Sequence, residues 1–131
     1  MKIIKFLFLV FLIEGCDSAI DGNIKSLNNF YSIYIKENSK INPNFDKIDS
    51  LKHYYCTSEL LYKIKDYDYD PFLNSQDCSL DYLRSMKFDK DSTTNDAYYV
   101  TYHLDNTIIT INIKFINERN TLKINSLSSS P

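Results

Sequence analysis

The feature that most constrains this chain is a change of hydrophobic period near its middle. Ile20, Ile24, Leu27, Tyr31, Tyr34 and Ile35 recur at three and four residues, one face of a helix over 19–38. "NSKINPN" breaks it, with Pro43 as the punctuation. Phe45, Ile48, Leu51 and Tyr55 then mark the apolar side of a second helix. Thr57 re-caps the chain, and Glu59 suits the positive end of a third helix striped by Leu60, Leu61 and Ile64. That helix cannot pass Tyr69, because Asp70 precedes Pro71 and is forced toward extended geometry.

Beyond Cys78 the pattern alternates. Leu80, Tyr82, Met86 and Phe88 predict one strand, interrupted by Arg84. Tyr98 to Leu104 and Ile109 to Phe115 predict two more, and Leu122, Ile124 and Leu127 a less regular fourth. "LDNT" at 104–107 and "NERN" at 117–120 read as hairpin turns holding αL-tolerant Asn. "SLSSSP" reads as a frayed, disordered tail. Helices first and antiparallel strands after predict an α+β fold: N-terminal helices packed in a curved antiparallel sheet of about four strands. Ile108 and Ile116 fall on the opposite face of that sheet, as second-side packing or as ordinary exposed apolar residues. The 131 residues suffice for one domain.

The chain opens with "MKIIKFLFLVFLIEGC", two lysines and then eight apolar residues from Phe6 to Ile13. This is the pattern of an export signal over residues 1–15, too short for the ~20 apolar residues of a membrane span. Leu12-Ile13-Glu14-Gly15-Cys16 resembles a bacterial lipobox, with an aliphatic residue three before a cysteine and a small residue just before it. Glu14 departs from that pattern. The resemblance implies that Cys16 becomes the lipidated first residue of a mature domain, 16–131, anchored by methylenes worth about 0.8 kcal/mol each. Ordinary cleavage after Ser18, giving a soluble periplasmic or secreted protein, is the alternative.

Lipidation of Cys16 leaves Cys56 and Cys78 as an even pair in an oxidising space, which predicts a Cys56–Cys78 disulfide. It would close a loop of about 23 residues, worth about 3 kcal/mol in the chain-entropy account. Two independent buried thiols are the alternative. The cysteines lack CxxC spacing, and His53 and His103 stand apart, so no metal site is expected from them.

Composition excludes some functions. A formal net charge of −2 without a basic run lacks the footprint of a nucleic-acid binder. Only two glycines argue against a phosphate-cradling loop. Eleven tyrosines and eight phenylalanines predict a core of rings whose hydroxyls must stay wet or paired.

"DYDYDPFLNSQDC", from Asp66 to Cys78, is the densest motif. Asp66, Asp68 and Asp70 stand at i, i+2 and i+4 with Asp77 at position twelve, as in an EF-hand loop. Position six is Pro71, where that loop needs glycine, so a cation site could only be of a looser kind. A catalytic carboxylate pair needs one member desolvated, and a surface turn does not supply that. The structural reading fits the residues: Asp70 accepts backbone N–H groups, Pro71 fixes φ, Phe72 plugs the core, and Gln76 ties the loop to a strand. Tyr67 and Tyr69 form a candidate contact patch, or else pack on their own helix.

A helix, then "YYCTSELLYKI", "DPFLNSQD" and strands ending in "LKINSL" together resemble a bacterial envelope family known as domain-of-unknown-function family 3828, whose members are often lipoproteins. Asp70, Pro71, Phe72, Gln76 and Asp77 match its turn motif, and the resemblance spans roughly residues 24–127. Leu122 stands where the family's last strand usually has a Trp. The resemblance implies a cone-shaped fold similar to nuclear transport factor 2, and no established chemistry. The resulting expectation is an exported, lipid-anchored protein on the periplasmic side of a bacterial envelope. Its role is non-enzymatic binding or scaffolding without a cofactor, toward an envelope protein or, as in immunity proteins, a toxin. The alternative is a small-ligand binder or enzyme that uses the cone interior, with tyrosines and His103 as polar groups.

Overall fold

Asp21 starts the first helix by accepting the Asn23 N–H on Oδ1 at 2.9 Å, while its Oδ2 accepts the Tyr98 hydroxyl at 2.8 Å. The computed structural model describes residues 21–130, so Cys16 and the whole export segment lie outside the described residues. Helix α1 (Gly22–Asn38) buries Leu27, Phe30, Tyr31, Tyr34 and Ile35 on one face, as its spacing predicts. Helix α2 (Phe45–Tyr55) is capped by Asn44, whose side chain accepts the Lys47 N–H at 3.0 Å. It buries only Ile48, with Leu51 and Tyr55 packed at the edge of the core. Phe45, expected on the same stripe, is 67% exposed, because the first turn of α2 overhangs the end of the core. Helix α3 (Ser58–Ile64) begins at Thr57, whose hydroxyl oxygen accepts the Leu60 N–H at 3.2 Å.

The strand expected from Leu80 to Phe88 is a correction. Residues Tyr82–Ser85 form a single helical turn, α4, and the strand β1 covers only Lys87–Lys90. Ser79 is the cause: its carbonyl accepts the Tyr82 N–H and its hydroxyl the Asp81 N–H, both at 3.2 Å. Local side-chain acceptors turn the backbone before it can extend.

Strands β2 (Ala97–Leu104), β3 (Thr107–Glu118) and β4 (Thr121–Ser129) complete an antiparallel sheet of order β1-β2-β3-β4. The pairs Tyr98–Ile113, Val100–Ile111 and Tyr102–Ile109 set the register and place the apolar residues on one face. That face packs against α1, where Phe30, Tyr31 and Phe72 fill the space with Val100, Tyr102, Ile111 and Ile113, each at most 1% exposed. The hairpin tips are Asp105 (φ 53°) and Arg119–Asn120 (φ 51° and 63°). Asn is suited to that region, whereas Arg119 adopts it because the two-residue turn between Glu118 and Thr121 requires it.

The spacing Ile124 to Leu127 breaks alternation for a physical reason. Phe115 pairs with Ile124 and Lys114 with Ser126, so Asn125 is the extra residue of a β-bulge. The tail is a second correction. Ser126, Leu127, Ser128 and Ser129 pair with Lys114, Ile113, Asn112 and Ile111, and the Ser130 N–H donates to the Thr110 carbonyl at 3.1 Å. The long β3 supplies a partner row, and pairing outweighs the weak strand preference of serine. Ile108 and Ile116, at 63% and 40% exposure, lie on the solvated face.

The expected Cys56–Cys78 bridge is not formed in this structure, where both are free thiols. Different elements hold the two sulfurs. Cys56 sits buried at the end of α2 and bridges to Ile124, while the next residue's N–H, from Thr57, donates to the Ile124 carbonyl at 2.9 Å. Cys78 lies 3.5 Å from the Ser39 hydroxyl and 3.7 Å from the Ile35 carbonyl, at the far end of α1. Burial pushes the Cys56 thiol up to about 12. None of the described helices is long and apolar enough to cross a membrane.

Glu37 closes the turn between α1 and α2. Its Oε2 accepts from Lys40 at 2.8 Å and Lys47 at 3.0 Å, and its Oε1 from the Asn44 N–H at 3.0 Å. These donors, Lys40 foremost, pull its carboxyl from 4.5 down to about 2. A lowered folded-state value means that the contribution is fully present above about pH 4.5 and is lost as pH falls toward 2. Urea denaturation of Glu37→Gln against the parent, from pH 7 to pH 2, is expected to show a gap in midpoint at pH 7 that narrows as pH falls from about 4.5 toward 2. A gap independent of pH would contradict the assignment.

Candidate functional site

The motif at Asp70 folds into a tight closed loop. The Asp70 N–H donates to the Ser75 carbonyl at 2.9 Å, and the N–H groups of Leu73 and Ser75 both donate back to the Asp70 carbonyl at 3.3 Å. Asn74 turns the chain at φ 49°, a region that Asn tolerates. Asp70 accepts the Phe72 N–H on Oδ1 at 2.8 Å, an Asx turn, and the Tyr34 hydroxyl on Oδ2 at 2.8 Å. Phe72 and Leu73 are fully buried.

Burying the loop takes its carbonyls out of water, and tyrosines from two elements meet them. The Tyr31 hydroxyl of α1 donates to the Phe72 carbonyl at 2.8 Å, and the Tyr102 hydroxyl of β2 donates to the Leu73 carbonyl at 2.5 Å. The expected capping role of Asp70 and the plug role of Phe72 are both realised. Gln76 is a correction: it is exposed and makes no side-chain hydrogen bond to a strand among the described residues, because the tyrosines already tie the loop down. Asp77 is also exposed, and its N–H donates to the Ser75 hydroxyl at 3.2 Å.

The aspartates do not converge. Asp66 and Asp68 are exposed, whereas Asp70 turns inward to Tyr34. Among the described residues, no group of three or more His, Cys, Asp and Glu side chains is placed to hold a metal ion. Burial, offset in part by the hydrogen bonds from Tyr34 and Phe72, raises the Asp70 carboxyl above its ordinary value.

Tyr67 and Tyr69 stack on each other rather than on α3, with ring centroids 5.3 Å apart and planes 25° from parallel. They remain 43% and 38% exposed. This pair is one wall of a half-open cavity of about 440 Å³. Asp49, Lys52 and His53 of α2 line the opposite side, and Leu61 and Ile64 of α3 one end. Tyr34, Lys65, Asp70, Pro71 and Phe72 form the rest of the lining. A second hollow, about 270 Å³, lies across the same tyrosines and reaches Ser128 and Ser129. The cavity is on the helical side of the molecule, and the space between α1 and the sheet is filled. His103, expected as an interior polar group, is exposed on β2, where the register turns Tyr102 inward instead.

Sequence reasoning missed Tyr31, Tyr34 and Tyr102 as the anchors of the loop, and Lys52 as a cavity residue. The signal for the tyrosines was present: a ring-rich core without tryptophan must find acceptors for its hydroxyls. Lys52 carried none, because only the tertiary fold brings α2 beside residues 67–72.

The sequence matches no protein-family model and no curated protein. The structure is similar to the crystal structure of a protein of unknown function from Bacteroides thetaiotaomicron VPI-5482. The TM-score is 0.71 at 20% identity, covering 82% of this chain and 88% of that one. At this identity the likeness shows the α+β fold alone.

Asp70→Ala leaves both the Phe72 N–H and the Tyr34 hydroxyl without an acceptor. Urea unfolding at pH 7 is expected to show a loss of about 2–4 kcal/mol, against about 1 kcal/mol for Tyr34→Phe, which removes the donor alone. Equal losses, or none, would contradict the pivotal place given to Asp70.

Proposed function

We propose that this chain is an exported, lipid-anchored protein of a bacterial envelope that works by non-enzymatic binding through its helical side. The observation that carries the binding reading is the packing of the sheet's inner face. Phe30, Tyr31, Phe72 and Tyr102 occupy the space that a ligand-holding cone would leave open. Recognition then falls to the outer surface, where Tyr67 and Tyr69 offer rigid aromatic area at low entropic cost. The export segment and the Ile13-Glu14-Gly15-Cys16 stretch support the anchor, with Cys16 as the lipidated residue. Helix-then-sheet order and the Asp70–Phe72 turn support membership of the domain-of-unknown-function family 3828 and a cone similar to nuclear transport factor 2. The partner is an envelope protein, and in the immunity version a toxin. Among the described residues the rings that would line an interior site touch one another, which supports the outer surface over the interior-ligand and enzyme reading.

The test is carried out in a bacterial host on the full chain. Intact mass is expected to show residue 16 as the first residue with acyl chains attached, and Cys16→Ala is expected to move the protein from membrane to soluble fractions. A photo-crosslinker at position 68 is expected to give one discrete adduct that Tyr67→Ala with Tyr69→Ala abolishes. Retention of Met1, or an unchanged fractionation of Cys16→Ala, would overturn the anchor. Failure to form an adduct would overturn the contact surface.

A further inference from the structure

Lys52 lines the cavity from α2. Its side chain leans over the aromatic faces of Tyr34 and Phe72, with the ammonium 5.8 Å and 6.0 Å from the two ring centroids. Among the described residues it makes no ion pair and no hydrogen bond, although an ammonium carries three donors. The nearby acids do not fill that role. Asp70 accepts from Phe72 and Tyr34 and attracts Lys52 by charge without forming an ion pair, and Asp49, one turn earlier on α2, does not pair with it. Lys65 also lines the cavity, its ammonium 4.0 Å from the Tyr62 ring centroid. The cavity therefore holds two ammonium groups, that of Lys52 over the rings of Tyr34 and Phe72 and that of Lys65 over the ring of Tyr62, together with the stacked pair Tyr67 and Tyr69.

We propose that this cavity binds a carboxylate carried next to a ring, with the carboxylate on Lys52 and the ring against Tyr67 and Tyr69. This deepens the binding reading above and rests on it. About 440 Å³ is within the range of small-ligand sites, roughly 300–1,000 Å³, and suits one ring and a short acidic arm. A carboxylate rather than a phosphate fits the charge count. Asp49 and Asp70 share the lining with Lys52, Lys65 and His53, so the two carboxylates offset the two ammonium groups and a singly charged acid is repelled less than a doubly charged one. His53 is exposed and lines the same cavity, where its ring can donate a hydrogen bond to the incoming acid. The same chemistry is presented by a free aromatic acid and by the C-terminus of a peptide ending in an aromatic residue. The second hollow beyond the tyrosines, reaching Ser128 and Ser129, gives the peptide additional surface that the free acid does not use.

The experiment is a titration of the folded domain, followed by amide and methyl NMR. The probes are N-acetyl-phenylalanine, its uncharged amide, and an Ala-Ala-Ala-Phe peptide with a free C-terminus. Saturable shifts confined to Lys52, Tyr67, Tyr69 and Phe72 are expected with the acids. The amide is expected to bind at least tenfold more weakly. Lys52→Met, which keeps the apolar stem on the rings, is expected to remove the preference for acid over amide. The free peptide binding tighter than N-acetyl-phenylalanine assigns the peptide source, and equal affinity assigns the small acid. Equal binding of acid and amide to the parent protein, or shifts scattered over the surface, would overturn the proposal even if Lys52→Met failed to fold. A position-68 adduct that persists in Lys52→Met, with no acid preference in the parent, would overturn the carboxylate site alone and leave the outer contact surface standing.

Discussion

Three tyrosine hydroxyls hold the loop from Asp70 to Ser75 inside the protein, and the rest of the structure is arranged around that attachment. A loop that sends Phe72 and Leu73 into the core must also bury its own carbonyls. An unpaired buried carbonyl costs about 1–3 kcal/mol. Tyr31 and Tyr34 come from α1 and Tyr102 from β2, so the loop is bonded to both layers at once. Phe72 then completes a ring cluster with Phe30 and Tyr34, at centroid distances of 5.1 and 5.3 Å. The joint between helical and sheet layers is polar in its bonds and aromatic in its packing.

That attachment also decides where a binding surface can be. Once the loop fills the space between α1 and the sheet, the inner face is closed to ligands. The preceding residues, Tyr67 and Tyr69, are left on the outside, where they share a cavity with Asp49, Lys52 and His53 of α2. The cavity beside Lys52 is thus a by-product of how the loop is tied down.

Much of this was legible in the sequence, and the exceptions have physical reasons. The change of period located α1 and the sheet, because burial of one face leaves a direct trace in residue spacing. Thr57 as a cap and Asp70 as an acceptor were legible because each acts on backbone groups within three residues. The short turn at Tyr82 was not, since Ser79 supplied acceptors that an alternation of Leu80 and Tyr82 conceals. The pairing of Ser126 to Ser129 was hidden because its cause lies in the length of β3. The pairing of Cys56 with Cys78 followed from counting, and counting says nothing of which elements carry each sulfur. Lys52 became visible only when α2 and the loop after α3 were placed side by side.

The central claim is that the Asp70 loop belongs to the core and does not open on its own. Native-state hydrogen exchange measures this directly, at the amides of Asp70, Phe72 and Ser75. Those amides are predicted to exchange only through global unfolding, with the same free energy as the most protected amides of α1 and β2. Exchange of the loop amides at a markedly lower free energy, while α1 and β2 remain protected, would contradict the account.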